Sequence, residues 1–88
     1  MRIKIAENVA FRDLSGESVL LNLSTGVYFG LNPVGTRIWS LLREHGSTEK
    51  TLEALLEEYD VEEGRLRADL DDLVRRLAEK GLVSTGER

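Results

Sequence analysis

The stretch TGVYFGLNPVGTRIWSLL, residues 25–42, decides the fold, because it joins a glycine turn, a short apolar strand and the start of a helix. Only Asn32 separates the strand from the helix. Asn is a favoured N-cap, and Pro33 suits the first helical position, where its missing N–H costs no hydrogen bond. The sequence therefore predicts a strand over 27–31 that leads directly into a helix over 33–45.

Two more strands are predicted upstream, over 9–14 and 18–23. We expect residues 24–26 to form the loop between the second and third strands, with Gly26 in the left-handed conformation that such a three-residue loop requires. In that register Leu23 lies opposite Val27, Leu21 opposite Phe29 and Val19 opposite Leu31. The result is a fully apolar face, which a slip of one residue would destroy.

Two more helices are predicted downstream. Their ranges and capping residues are 48–59 after Ser47 or Thr48, and 61–80 after Asp60. Glu63 would complete a variant of the capping box with Asp60. Gly81 would end the last helix in a Schellman turn, in which Leu82 folds back onto Leu77.

The order of elements is three strands and then three helices, joined by short loops. A sheet with one apolar face needs a cover, and the helices supply it. The sequence therefore predicts a single α+β domain over 1–88, winged helix-turn-helix-like, with a three-stranded antiparallel sheet followed by three helices. Residues 84–88 are expected to form a loose tail.

The composition restricts the class of partner. Sixteen acidic residues against twelve basic ones give a net charge of −4, which disfavours nucleic acid because phosphates attract basic side chains. The chain has no cysteine, which excludes disulfides and thiolate metal sites. No apolar run approaches the ~20 residues that span a bilayer, and the first residues lack the apolar core of a signal peptide. We therefore expect a cytoplasmic protein with no membrane or nucleic-acid partner.

Reactive side chains are few and do not converge. The only histidine, His45, lies beside Gly46 at the end of the first predicted helix, where it favours the negative end of the helix dipole. Asp69, Asp71 and Asp72 look like a carboxylate cluster, but at ~100° per residue Asp71 points away from the other two. We therefore expect a solvated charged face, no catalytic residue, no metal site and no cofactor.

The third predicted strand, 27–31, is the first candidate for a binding surface. In a meander it lies at the edge of the sheet, and it carries neither charge nor proline. Open edges of this kind attract other strands, and most proteins block theirs. The alternative is that another part of this chain, 1–8 or 82–84, covers the edge.

The last predicted helix is the second candidate. Its core seam consists of Leu66, Leu70, Leu73 and Leu77. One flank of the seam carries Arg67, Asp71, Val74 and Ala78, and the opposite flank carries Asp69, Asp72 and Arg76. Val74 and Ala78 suit the wall of a groove beside the edge strand, and the alternative is that they widen the core stripe. The sequence leaves open which flank faces a bound peptide.

Two segments, GVYFGLNPVGTRIWSLL (26–42) and YDVEEGRLRADLDDLVRRLAEKGLV (59–83), resemble the PqqD-like family of RiPP recognition elements. These small domains bind the leader peptides of ribosomally made, post-translationally modified peptides (RiPPs). The resemblance implies a winged helix-turn-helix shape without DNA binding, in which the leader adds a strand to the third strand, against the third helix. A free-standing chain of this size most resembles the leader-binding proteins of lasso-peptide clusters, which present the precursor to a separate leader peptidase.

The edge strand and the chosen flank together predict the peptide-binding residues. They are Val27, Tyr28, Phe29, Gly30, Leu31, Arg67, Asp71, Val74 and Ala78. If Val74 lines a groove, the substitution Val74→Glu weakens leader binding and leaves thermal stability nearly intact. A large fall in melting temperature would instead place Val74 in the core.

Three other functions stay open. The resemblance also covers peptide chaperones of quinone-cofactor (PQQ) and radical-enzyme pathways. A winged-helix DNA-binding regulator is the rival class, although acidic residues of the last predicted helix offset its basic ones. A subunit that binds its enzyme as a scaffold cannot be separated by sequence from a peptide-binding module.

Overall fold

The computed structural model describes residues 1–86. Its elements, in chain order, are β1 (Arg2–Ile5), β2 (Val9–Leu14), β3 (Glu17–Asn22), β4 (Tyr28–Leu31), α1 (Pro33–His45), α2 (Thr48–Glu58), α3 (Glu63–Glu79) and β5 (Val83–Gly86). β2, β3 and β4 form an antiparallel sheet in that order, and β1 and β5 form a separate two-stranded sheet. The predicted α+β architecture, a three-stranded antiparallel sheet followed by three helices, is confirmed.

The sequence does not predict the two-stranded sheet. Its antiparallel pairs are Arg2–Gly86, Ile3–Thr85, Lys4–Ser84 and Ile5–Val83. Residues 84–86, expected to belong to a loose tail, are therefore part of a strand, and residues 87–88 lie outside the described residues. Ile3 and Val83 are buried in the core. The N–H of Ile3 also donates to the C=O of Gly46 at 2.9 Å, which ties β1 to the loop between α1 and α2.

The hairpin of β3 and β4 differs from the predicted register. The observed pairs are Ser18–Leu31, Val19–Gly30, Leu20–Phe29 and Leu21–Tyr28, one residue away from the expected pairing. The loop is longer than predicted, because four residues separate Asn22 from Val27, whose backbones are hydrogen-bonded at 2.9 Å. Asn22 stabilises this loop, since its Oδ1 accepts hydrogen bonds from the N–H groups of Ser24 and Thr25. Gly26 does adopt the predicted left-handed conformation, with φ 78°.

The shifted register reverses the two faces of β3. Its core-facing residues are Ser18, Leu20 and Asn22, and its outward-facing residues include Val19 and Leu21. Polar side chains are accommodated inside because they have partners there. The Oγ of Ser18, for example, lies 2.8 Å from the Oγ1 of Thr36 on α1. Apolar alternation alone therefore predicts the wrong inner face for this strand.

Asn22 joins the hairpin to the end of α3. Its side chain is 3% exposed, its Nδ2 donates to the carbonyls of Lys80 and Gly81 at 3.1 and 3.3 Å, and its Oδ1 accepts from Asn8. Asn22→Ala leaves these buried groups without partners, so we expect the free energy of unfolding to fall by about 2–4 kcal/mol. Urea denaturation measures it, with Leu23→Ala in the exposed loop as a control that should change stability by less than about 0.5 kcal/mol. Equal stability of the two variants would contradict this role for Asn22.

Local signals place both ends of α1 and the start of α2 as predicted. Asn32 caps α1 by accepting a hydrogen bond from the N–H of Gly35 at 2.7 Å. Gly46 ends the same helix with φ 70°. The Oγ of Ser47 caps α2 by accepting from the N–H of Lys50 at 3.1 Å.

α3 begins two residues later than predicted, and it ends one residue earlier, at Glu79. Its first residue is Glu63 and its N-cap makes no side-chain hydrogen bond, so the expected capping box between Asp60 and Glu63 does not form. At the other end the N–H of Leu82 donates to the C=O of Leu77 at 2.9 Å, while Gly81 is left-handed with φ 73°. The Schellman turn is therefore confirmed.

The helices cover the inner face of the three-stranded sheet. The largest fully buried side chains include Leu20, Trp39, Leu42, Leu55, Leu70, Leu77 and Leu82. α1 packs against β3, β4 and α2, and α3 packs against α2 and β5. On the surface, Arg37 of α1 donates hydrogen bonds to Glu58 of α2, which lowers the pKa of the Glu58 carboxyl below its ordinary value.

Candidate functional site

The outer edge of β4 is open. β4 has β3 on one side, and within residues 1–86 no strand pairs with its other side. The two segments considered above as covers of this edge, 1–8 and 82–84, contribute β1 and β5, which pair with each other instead. The alternative of an internally covered edge is therefore excluded for the described part of the chain.

The register identifies the backbone groups that face this open side. The N–H of Asn22 donates to the C=O of Val27, so every second residue of β4 after Val27 bonds to β3. Tyr28 and Gly30 lie between those residues, and their N–H and C=O groups point away from β3. The edge thus presents two donors and two acceptors to a strand that approaches from outside.

A groove of about 320 Å³ lies between this edge, the start of α1 and one flank of α3. Its apolar lining includes Phe29 and Leu31 of β4, Ile38 of α1 and Leu73 of α3. Leu31 and Ile38 are buried in the core, whereas Phe29 and Leu73 are half-buried and accessible from the groove. An extended chain hydrogen-bonded to β4 would therefore have an apolar surface beneath every second side chain.

The flank of α3 that borders the groove is the opposite of the one predicted to do so. The groove contains Asp69, Asp72, Leu73 and Arg76, and it contains none of Arg67, Asp71, Val74 and Ala78. Val74 is only 2% exposed and belongs to the core cluster, so its interpretation as a groove wall is wrong and the alternative, a wider core stripe, is correct. Arg67 and Asp71 are exposed outside the groove, and Ala78 packs against the core.

The burial pattern of α3 explains this correction. Its buried residues are Leu66, Leu70, Val74 and Leu77, which follow the i, i+4, i+8, i+11 spacing of a helix stripe. This spacing was available in the sequence and would have placed Val74 inside. Because the buried stripe includes Val74, the half-buried Leu73 lies at the border of the stripe. The flank that carries Asp69 and Arg76 therefore faces β4.

The predicted residues of β4 have different positions. Phe29, Gly30 and Leu31 border the groove. Tyr28 is 69% exposed and lies on the outer face of the sheet, opposite Leu21. Val27 precedes the strand and closes the hairpin. A role in peptide binding stays a prediction for each of them.

The charged lining of the groove is partly self-paired. Asp72 accepts a hydrogen bond from Arg75. It also forms an ion pair with Arg76, whose Nε lies 3.1 Å from its carboxylate. Asp69 has no ion-pair partner among residues 1–86. The groove therefore has an apolar lining with charged side chains of both signs along one side.

The described part of the chain has no group of three or more His, Asp or Glu side chains placed to hold a metal ion. None of the helices between residues 1 and 86 is both long and apolar enough to cross a membrane. The open edge and the groove beside it are the features best suited to binding.

Sequence reasoning missed the α1 side of this groove altogether. That side contains Asn32, Val34, Gly35 and Ile38. The one-residue link between β4 and α1 was the available signal, because it forces the first turn of α1 to start beside the strand end. Val34 is accordingly 45% exposed at the groove.

Comparison with known proteins gives a family and two solved structures. The family model described as coenzyme PQQ synthesis protein D (PqqD) matches residues 17–83. TbiB1 in complex with the TbiA(beta) leader peptide is 42% identical, with a TM-score of 0.88 over 97% of this chain and 99% of that one. Lasso peptide synthetase B1 complexed with the leader peptide is 25% identical, with a TM-score of 0.84 over 97% and 100%. No curated protein sequence matches significantly.

Proposed function

The chain belongs to the PqqD family as a PqqD-like RiPP recognition element, and from that premise we propose that it binds the leader segment of a ribosomally made precursor peptide without catalysing a reaction itself. The observation that carries the proposal is the open edge of β4, with its outward N–H and C=O groups, directly beside an apolar groove. The two similar solved proteins hold leader peptides, and PqqD-like leader-binding proteins are generally non-catalytic.

The proposed mechanism is strand addition. The leader extends the sheet by bonding to the outward backbone groups of Tyr28 and Gly30, and every second side chain enters the groove between Phe29 and Leu73. Each backbone hydrogen bond contributes only about 1 kcal/mol net. A buried Leu- or Tyr-sized side chain contributes about 1.5–3 kcal/mol. The backbone therefore fixes the direction and register of the leader, and the groove supplies most of the affinity.

The partners of this function are proposed on the same basis. We propose a lasso-peptide pathway in the cytoplasm, in which the bound precursor is delivered to the leader peptidase of that pathway. The net charge of −4 and the mixed charges of α3 argue against nucleic acid as a partner. No cofactor or membrane is part of the proposed function.

A second pathway is favoured by one observation, the description of the matching family model as a PQQ synthesis protein. In that case the same edge and groove would present a precursor peptide to a radical or quinone-cofactor enzyme. Titration with both kinds of leader discriminates the two pathways. We expect tighter binding of a lasso leader, because both similar structures come from complexes with leader peptides, one of them of a lasso peptide synthetase.

The direct test is a fluorescence-anisotropy titration with the labelled leader of the precursor encoded beside this gene, and a scrambled leader as control. We expect saturable binding that is lost on scrambling. Binding of both peptides alike, or of neither, would overturn the proposal.

Leu73→Gln tests the flank of α3 assigned to the groove. Leu73 is half-buried in the groove lining, so a polar side chain there should weaken leader binding about tenfold or more through lost apolar contact. Ala78→Gln is the matched control on the opposite flank, and it should leave the Kd unchanged. The reverse result, with Ala78→Gln weakening binding and Leu73→Gln not, would place the peptide on the other flank.

A further inference from the structure

The outer face of the three-stranded sheet, which no other element within residues 1–86 covers, carries several apolar side chains. It carries Val19 and Leu21 of β3, Tyr28 of β4 and Leu14 of β2, and its charged members are Arg12 and Glu17. Tyr28 and Leu14 are 69% and 52% exposed. The solvated face of an antiparallel sheet is normally polar, and contiguous exposed apolar side chains mark interaction sites.

Gly30 leaves a gap at the open edge of this face. Its φ is not in the left-handed region, and a Cβ added there would meet no atom within 4 Å. Neither backbone conformation nor crowding therefore requires glycine at this position. The missing side chain opens a hollow of about 300 Å³, whose lining includes its cross-strand partner Val19, Leu14 and Asn32.

We infer that this outer hollow at Gly30 is a second subsite, which binds one large apolar side chain of the leader strand, preferably an aromatic one. The inference rests on the proposed strand addition. In an added strand the residue opposite Gly30 projects onto the same face as Gly30. The nearest side chains there are Tyr28, two residues before Gly30, and Val19, which lies beyond Gly30 on β3.

An aromatic side chain is the class that best fits this place. Aromatic residues across from a glycine at a sheet edge cover the exposed backbone that the glycine leaves. Leu14 and Val19 of the hollow and the nearby ring of Tyr28 favour an apolar ring. The carboxylate of Glu17 in the same lining disfavours an acidic side chain.

The second subsite adds a requirement to the leader sequence. Side chains that enter the inner groove and the one that covers Gly30 lie on opposite faces of the added strand, so they are an odd number of residues apart. A leader is therefore recognised from both faces of the sheet. An apolar pattern on one face alone would not be sufficient for full affinity.

Gly30→Val tests the subsite by filling it. Valine favours strands, and its Cβ would meet no atom within 4 Å, so the melting temperature should not fall. We expect binding of the labelled leader to weaken about tenfold or more. Ala10→Val is the control, because it places the same side chain on the same face of the sheet but on β2, two strands from β4, and it should not change the Kd.

A peptide series completes the test. Each large apolar residue of the leader is replaced in turn by alanine, and each peptide is titrated against the wild-type protein and Gly30→Val. One replacement should weaken binding to the wild type and abolish the difference between the two proteins. Wild-type affinity for Gly30→Val, or no replacement that couples to it, would overturn the subsite and leave leader binding intact. Failure of the wild-type protein to bind the leader would instead reject the proposed function, and the subsite with it.

Discussion

Tyr28→Pro is expected to abolish leader binding at peptide concentrations at which Tyr28→Ala still binds. Both variants lose the same exposed ring, and only proline also removes the backbone N–H. That N–H points to the open side of β4, where strand addition requires it. The proline ring also occupies the edge along which the leader backbone would approach. We expect a loss of about 2 kcal/mol or more relative to Tyr28→Ala, equivalent to about a thirtyfold higher Kd.

The fold should tolerate this proline. Proline is accepted in edge strands where its N side faces solvent, and the N–H of Tyr28 donates to no group of β3 in the observed register. The residue before it is Val27, which is hydrogen-bonded to Asn22 where the hairpin closes. Proline favours an extended backbone in the residue that precedes it. The melting temperatures of the two variants should therefore be similar.

Anisotropy titration of both variants with the same labelled leader, together with thermal unfolding followed by circular dichroism, provides the measurement. Equal Kd values for two folded variants would mean that the leader makes no backbone bond at Tyr28. The groove could then still bind side chains, but strand addition to β4 would be wrong.

The parts of the fold that sequence predicts well are those specified within a few residues. The ends of α1 depend on Asn32, Pro33 and Gly46, and the end of α3 on Gly81, each of which acts within one turn of its own helix. The open edge of β4 follows from the same local order, because a strand that passes directly into a helix ends a meander. These features position the candidate site.

The features that sequence does not predict depend on distant partners. The register of β3 and β4 depends on Asn22, whose inward position is favoured only because the end of α3 supplies carbonyl acceptors at Lys80 and Gly81. β1 and β5 become strands because each pairs with the other end of the chain. Sequence signals that span only a few neighbouring residues carry no information about such contacts.

The same limitation produced the wrong flank of the candidate site. Which border of the α3 stripe faces β4 depends on how α3 is rotated about its own axis where it packs against α2 and β5. Val74 and Ala78 form a groove wall only if Leu73, and not Val74, belongs to the core seam of α3. Once Val74 is placed inside, Leu73 becomes the border residue and the flank with Asp69 lines the groove.

Val74→Glu should therefore unfold the protein, in contrast to the expectation from sequence that it would change binding alone. Val74 is 2% exposed within a cluster of apolar side chains, and a carboxylate there has no cation to pair with. Burial of an unpaired charge or its enforced neutralisation costs several kcal/mol. A loss of about 4 kcal/mol or more would remove most of the stability of so small a domain.

Val61→Glu is the matched control, because it makes the same substitution at a valine that is 49% exposed just before α3. We expect its melting temperature to stay close to that of the wild type, whereas Val74→Glu should lack a cooperative transition. The milder Val74→Ala separates core from groove, since a small cavity should cost about 1–3 kcal/mol without altering the leader Kd at a temperature where the variant is folded. A normal melting temperature for Val74→Glu combined with lost leader binding would return Val74 to the peptide site, because only a side chain in contact with the leader could affect binding in that way.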